Sequence, residues 1–280
     1  MASLAWITGA GGLIGAHIAR NAPREWSARA LARAELELTD SAAVREAFKR
    51  DEPRLVIHCA ALSKTLVCER SPDKARTNNV EVTRVLAELA ADIPLLFFST
   101  DLVFDGAEGN YSEDDAPNPL TVYAETKLAA EQMILTNPKH TVIRTSLNAG
   151  RTSSGTAFNE QWRATWQRGE TLNLFVDEFR SPIAAEVTAR AVWELTAANQ
   201  PGLYHLAGSE RLSRYDIGWL LAAGEPQLNA SIARGSIRDY TNMRRSPDCS
   251  LDVSKVQQLL SFPLPKFSEW LRENPNALTT

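Results

Sequence analysis

"LAWITGAGGLIGAHIAR", residues 4–20, decides the fold. Its apolar start, 4–8, reads as a buried strand, and a helical pattern begins directly after the glycines. Glycines 9, 12 and 15 are spaced GxxGxxG, a variant of the commoner GxGxxG dinucleotide turn. The demand on such a turn is a tight reversal, close backbone approach to a pyrophosphate and close packing of helix on strand. A helix start there offers free N–H groups and partial positive charge to phosphates. Gly9, Gly12, Leu13 and Ile14 are therefore expected to hold a dinucleotide.

Working outward, "RLVIHCA" (54–60), "PLLFFST" (94–100) and "HTVIRTS" (140–146) are further compact apolar strands. Amphipathic stretches at 41–50 and 78–92 lie between them. Apolar strands alternating with helices imply a parallel sheet covered on both faces. The fold class expected is α/β, a Rossmann-type doubly wound parallel sheet. The second half is less regular: helical at 158–170 and 184–198, extended at 171–182, a strand at 202–208, and short helical patterns near 213–222 and 253–260. Tryptophans concentrate after residue 160, which suggests a small aromatic-packed lobe. With no long linker, this C-terminal substrate lobe is expected to interleave with the sheet. Residues 1–150 and 183–200 then form the dinucleotide-binding domain, and 151–182 and 201–280 the lobe.

Composition narrows the function. At 280 residues, 44% apolar and 23% charged, the chain has the make-up of a globular enzyme. A net charge of −4 without any like-charge block argues against a nucleic-acid partner. No apolar run reaches the roughly 18 residues that would span a bilayer. Three cysteines without CxxC spacing are expected to be reduced thiols, and four dispersed histidines form no metal signature. A cytoplasmic location is expected, with no membrane partner.

After the second strand, an acidic residue would hold the 2′-hydroxyl of NAD. "ARALARAELELTD" (28–40) instead has Arg33 near that place, which suits the 2′-phosphate of NADPH. NADH is the alternative if Arg33 is only an exposed loop residue.

The fourth strand ends in "STD", Ser99 to Asp101, and "VYAETK" follows at 122–127. Tyr123 and Lys127, four apart, lie on one face of a helix expected to begin near Pro119. A phenol ionises near ~10, and a neighbouring ammonium eases that ionisation. In a ketone reduction Tyr123 would protonate the oxygen, Lys127 would also grip the nicotinamide ribose, and Thr100 would hydrogen-bond the same oxygen. Alone, YxxxK is as common as any solvated helix face. Following a glycine turn and a hydroxyl at a strand end, it carries weight.

With these residues in place, the chain resembles the extended short-chain dehydrogenase/reductases and, within them, the dTDP-4-dehydrorhamnose reductases. "STDLVFDG" (99–106) is similar to that family's "STDYVFDG", "ELELTD" (35–40) to "ELDITD", "HCAA" (58–61) to "NAAA" and "YAETK" (123–127) to "YGKTK". "VDEFRSP" (176–182), "GLYHLAG" (202–208) and "RRSPDCSLDVSK" (244–255) also have counterparts there. The resemblance implies a Thr100–Tyr123–Lys127 triad, with Ser99 beside the nicotinamide. It implies Glu37 and Leu38 near the adenine, Ala60 and Ala61 along the cofactor, and Asn79 in its supporting helix. Val103 and Arg180 are implied to face a nucleotide-diphosphate sugar, and a homodimer is compatible with the family. The implied reaction is hydride delivery to the C4 ketone of a 6-deoxy-4-keto sugar. Leu102 stands where the family has tyrosine, and Asn148 and Ala149 where it has an aromatic pair, so the sugar pocket is expected to differ. Two alternatives share the fold: an epimerase or dehydratase with tightly held NAD, and a non-catalytic regulatory or binding subunit of the kind found with methionine adenosyltransferase.

Overall fold

The computed structural model describes residues 2–241 and 243–278. In chain order the first half runs β1 (Ser3–Thr8), α1 (Leu13–Arg20), β2 (Trp26–Leu31), α2 (Ser41–Asp51), β3 (Leu55–His58), α3 (Thr65–Arg70), α4 (Pro72–Arg76), a π-turn (Thr77–Glu81), α5 (Val82–Leu89), β4 (Leu95–Thr100), α6 (Val122–Ile134) and β5 (Thr141–Thr145). The second half runs β6 (Asn148–Ala149), α7 (Phe158–Gln167), β7 (Thr171–Phe175), β8 (Phe179–Arg180), β9 (Ile183–Ala184), α8 (Ala185–Ala198), β10 (Gly202–Leu206), β11 (Leu212–Ser213), α9 (Arg214–Ala223), β12 (Ser231–Gly235), α10 (Ser254–Gln257) and α11 (Phe267–Glu273).

Six parallel strands form the main sheet in the order β10-β5-β4-β3-β1-β2. Strand residues alternate between two cores, as the period of two requires. Ala5, Ile7, Leu55, Ile57, Leu96, Phe98 and Ile143 join the core that includes Ile18 of α1 and Val192 of α8. Trp6, Val56, Leu95, Phe97 and Val142 join the opposite core, with Val44 of α2, Leu86 of α5 and Ile134 of α6. Both sheet faces are dry, and the strand order reverses direction between β1 and β3. In such sheets ligands bind at that reversal, outside the carboxyl ends of the strands.

Several expected boundaries move. β10, expected within the lobe, lies instead at the edge of the main sheet, with Gly202 to Leu206 in register with Thr141 to Thr145. The catalytic-helix candidate starts at Val122, not near Pro119, because Thr121 is extended and its Oγ1 accepts the Ala124 N–H at 3.3 Å. Glu69 of α3 also accepts the Val122 N–H, at 2.9 Å, satisfying another free donor of that helix end. The stretch 171–182 splits into β7, which pairs with β12, and β8, which pairs with β11. A separate small core gathers Ala149, Ala184, Ile217, Phe267 and Trp270, with Trp162 packed against it. No described helix is long and apolar enough to cross a membrane.

Candidate active site

The glycine turn after β1 is built around two close approaches. Gly9 has φ +68°, and a Cβ there would come within 2.6 Å of the Ala60 nitrogen, so the turn lies hard against the exit of β3. A Cβ on Gly15 would come within 2.6 Å of the Gly9 oxygen, which sets how closely α1 packs. Gly12 caps α1 with no side-chain bond, and the first turn carries no acidic residue. The N-terminal N–H groups of α1 are thus left for an anion, with the helix dipole behind them.

A cleft of about 590 Å³ runs from this turn along the strand ends. It brings together Gly9, Gly12, Leu13, Ile14, Arg33, Glu37, Leu38, Ala60, Ala61, Ser99, Thr100, Tyr123 and Lys127. At one end Arg33 lies 3.4 Å from Glu37, both side chains largely exposed. Glu37 accepts from the backbone N–H and hydroxyl of Thr39, and these bonds hold its carboxyl below the usual range. At the other end Ser99 Oγ is buried without a hydrogen-bond partner, where β4 opens into the cleft. Asn79 does not line the cleft. It sits buried in the π-turn, accepting from Leu62 N at 2.8 Å and donating to Thr126 Oγ1 at 3.0 Å. It therefore ties the loop after β3 to the helix that carries Tyr123 and Lys127. Below that loop His58 bridges Thr8 and Thr83, at 2.7 and 3.1 Å.

Tyr123 lines the cleft, and enclosure by protein pushes its phenol well above the usual range. The nearby Asp101 charge pushes the same way, and the Thr100 hydroxyl opposes both. The phenol is therefore held protonated, the state a proton donor needs. Lys127 is buried, its ammonium 3.8 Å above the centre of the Phe97 ring. Desolvation pulls its pKa down to about 7, with Glu131 the largest opposing influence. Thr100 ends β4, and its Oγ1 accepts from Leu102 N and bonds to Asp101, both at 3.2 Å.

A second, smaller cleft of about 190 Å³ meets the first at Thr100, Ser146 and Leu147. Arg180, Arg214, Arg244 and Arg245 line it, with Leu102, Leu120 and Glu178. Arg180 reaches this cleft, but it is buried and committed to protein. It donates to Glu178 at 2.8 Å and to the Ser246 carbonyl at 3.1 Å, and lies 3.7 Å from Asp101. Val103 departs from expectation altogether: it is fully buried with Phe104, Tyr111 and Leu251 and lines neither cleft. Asn148 and Ala149 were expected to alter a sugar pocket, yet neither lines the smaller cleft. Asn148 donates to Thr145 and accepts from Thr188, and Ala149 packs into the lobe core. Ser146 and Leu147 are the residues of that segment that line both clefts.

Two sets of surroundings escaped the sequence. Asp101, the carboxylate that closes "STD", is buried beside Thr100, accepting from Ser146 Oγ at 2.6 Å; its burial raises its pKa, against Arg180 and the Ser146 bond. Glu178 gathers Arg180, Arg214 and Arg245. Arg245 alone bonds both its oxygens, at 2.7–3.0 Å, while the buried Arg214 Nε finds no hydrogen-bond partner. The signal available was only that "VDEFRSP" and "RRSP" both carry arginines; nothing in either segment says that they meet.

The RmlD substrate-binding domain family profile matches residues 4–279. The chain belongs to that family. Among RmlD-like relatives, a probable low-salt glycan biosynthesis reductase of Haloferax volcanii is 29% identical over 95% of both chains. Methionine adenosyltransferase 2 subunit beta of Xenopus laevis is 31% identical, over 78% of this chain and 71% of its own. In structure the chain is similar to a dTDP-4-dehydrorhamnose reductase from Bacillus anthracis, solved in complex with NADP, with TM-score 0.90 at 22% identity over 98% of each chain. The RmlD-type architecture, a six-stranded parallel sheet with smaller C-terminal sheets, is therefore shared across the whole chain.

Proposed function

We propose that this protein is an NADPH-dependent reductase of the C4 ketone of a nucleotide-linked 6-deoxy-4-keto sugar. The observation that carries this is that Tyr123 and Lys127 line the larger cleft together with Thr100, the residue at which the smaller cleft joins it. The glycine cradle that a Cβ would fill, the uncapped α1 and the unpartnered Ser99 hydroxyl all fit a dinucleotide in the larger cleft. Gly12, Leu13 and Ile14 would hold its pyrophosphate, Lys127 its nicotinamide ribose and Ser99 the ring amide. When bound, the reduced nicotinamide supplies the hydride. Tyr123 gives its proton to the ketone oxygen, Thr100 keeps that oxygen in line with the phenol, and the charge on Lys127 steadies the phenolate left behind. The arginines of the smaller cleft supply the positive field that a diphosphate requires.

Consumption of NADPH with enzymatically generated dTDP-4-keto-L-rhamnose, followed at 340 nm, tests the assignment. Arg33 and Glu37 give it a second handle. Arg33→Ala is expected to raise KM for NADPH by about tenfold or more, the worth of one charge-assisted contact, and to leave KM for NADH nearly unchanged. Equal effects on the two cofactors would remove Arg33 from 2′-phosphate recognition.

One observation favours a second reading, a regulatory subunit: the 31% identity to methionine adenosyltransferase 2 subunit beta. That reading expects a stable complex with a partner enzyme and no turnover with any keto sugar.

A further inference from the structure

Tyr123, Lys127 and Glu131 follow one another at intervals of four along α6 and so share one helix face. Glu131 is as buried as the lysine, and Arg144 of β5 holds both of its oxygens, through Nε at 3.1–3.2 Å and Nη2 at 2.8 Å. Arg144 is fixed in turn, with its guanidinium 5.0 Å from the Phe104 ring centre and 3.5 Å from His205 Nε2 on β10. The proton transfer proposed above uses none of Glu131, Arg144 and His205, and that proposal supplies only the reason why the charge on Lys127 matters.

We propose that Glu131 is a positioning residue that acts through Lys127: clamped by Arg144 one turn beyond the lysine, its carboxylate keeps the buried ammonium charged. The surroundings of Lys127 single it out. His58 of β3 is held neutral by burial, its pKa lowered to about 3. The Cys59 thiol at the β3 exit and the Tyr123 phenol on α6 are both pushed up by burial, so they are neutral too. Phe97 of β4 offers only its ring face. Among these groups Glu131 alone is held in an ion pair, 2.8 Å from Arg144, and it opposes the desolvation that would otherwise strip the proton from the lysine. Arg144, bonded to both oxygens, prevents Glu131 from turning away. The polar rung Glu131–Arg144–His205 thus joins the catalytic-helix candidate to the last strand of the sheet.

The sign follows from the direction of the shift. Lys127 is depressed towards 7, so its charge is lost as pH rises through neutrality, and removing Glu131 brings that loss to lower pH. The protein contains seven lysines, which makes direct titration practical. With 13Cε-labelled lysine, the Lys127 resonance is assigned by its disappearance in Lys127→Met. In Glu131→Gln its titration midpoint is expected about one pH unit lower, the shift ordinary for losing one nearby opposite charge. Because that variant strands a buried guanidinium, the paired Glu131→Gln/Arg144→Gln variant is titrated beside it, with a smaller fall in the same direction expected. An unchanged midpoint in whichever of these variants folds overturns the proposal and leaves the pair a purely structural tie. The titration needs neither cofactor nor sugar, so it stands or falls separately from the reductase assignment. If turnover with NADPH is found, the alkaline limb of its pH profile should move with the midpoint.

Discussion

Tyr123→Phe is expected to lower kcat for the proposed keto-sugar reduction by about 10²–10⁴-fold, the range typical of a lost general acid. The substitution removes one oxygen and leaves the ring that lines the cleft, so NADPH should bind as before. The size of the effect follows from how few proton donors the site holds. Thr100 is engaged by Leu102 and Asp101, and the nearest carboxyl, Asp101, is occupied by Ser146 and Arg180. Neither stands free to replace the phenol, and Ser99, whose hydroxyl has no partner, is an aliphatic alcohol and a far weaker acid. Stopped-flow oxidation of NADPH, paired with a binding titration, separates the possible outcomes. Lost turnover with retained binding supports the assignment, while unchanged turnover removes Tyr123 from the proton path. Lost binding as well would mean that the phenol has a structural role in the cleft.

Gly9→Ala is expected to abolish measurable dinucleotide binding and to lower Tm by several degrees. Two costs coincide there. A left-handed backbone at a non-glycine residue costs about 1–3 kcal/mol. The new Cβ would also press within 2.6 Å of the backbone of Ala60, which cannot rotate aside as a side chain could. The turn and the β3 exit must then move apart, and both line the cleft. Gly11→Ala is the control, because its Cβ would meet only the Ala32 methyl at an ordinary 3.5 Å. That variant should melt like the parent and, although Gly11 also lines the cleft, keep measurable binding because the turn itself stays in place. Calorimetry and a fluorescence titration on the pair test the cradle without any substrate, and equal behaviour of the two variants would contradict it.

The parts of the fold legible in the sequence are those with local causes. Buried strands such as 94–100 show as apolar runs, and the glycine turn shows because Gly9 and Gly15 meet demands that no other residue satisfies. That Tyr123 and Lys127 share a side was legible because a helix puts i and i+4 on one face. What failed depended on distant contacts. "GLYHL" reads as a strand wherever it lies, and only its pairing with Thr141–Thr145 makes it the sixth strand of the sheet. The helix start slipped from 119 to 122 because the decisive signals are the Thr121 cap and the Glu69 carboxylate, the latter 53 positions away in the chain. Family resemblance supplied positions but not directions. Val103 falls where a sugar contact was implied, yet its side chain turns into the core, and Arg180 spends its donors on Glu178 and backbone carbonyls. The meeting of Arg214 and Arg245 at Glu178 brings together three segments, and no one of them announces it.

The position of β10 has a consequence for biosynthesis. Arg144 and His205 face each other across neighbouring strands but are separated by 61 residues, and the intervening chain builds much of the lobe. During vectorial translation β5 therefore leaves the ribosome with one edge unpaired, and residues 146–201 must follow before its neighbour exists. At about 5–20 residues per second that interval lasts on the order of several seconds. A bare, apolar strand edge is a template for wrong pairing over that time. Nascent-chain proteolysis should find β5 sensitive until residues 202–206 have left the ribosome and protected soon after they emerge. The last strand of the sheet would then serve as the checkpoint at which the nascent chain becomes safe from aggregation.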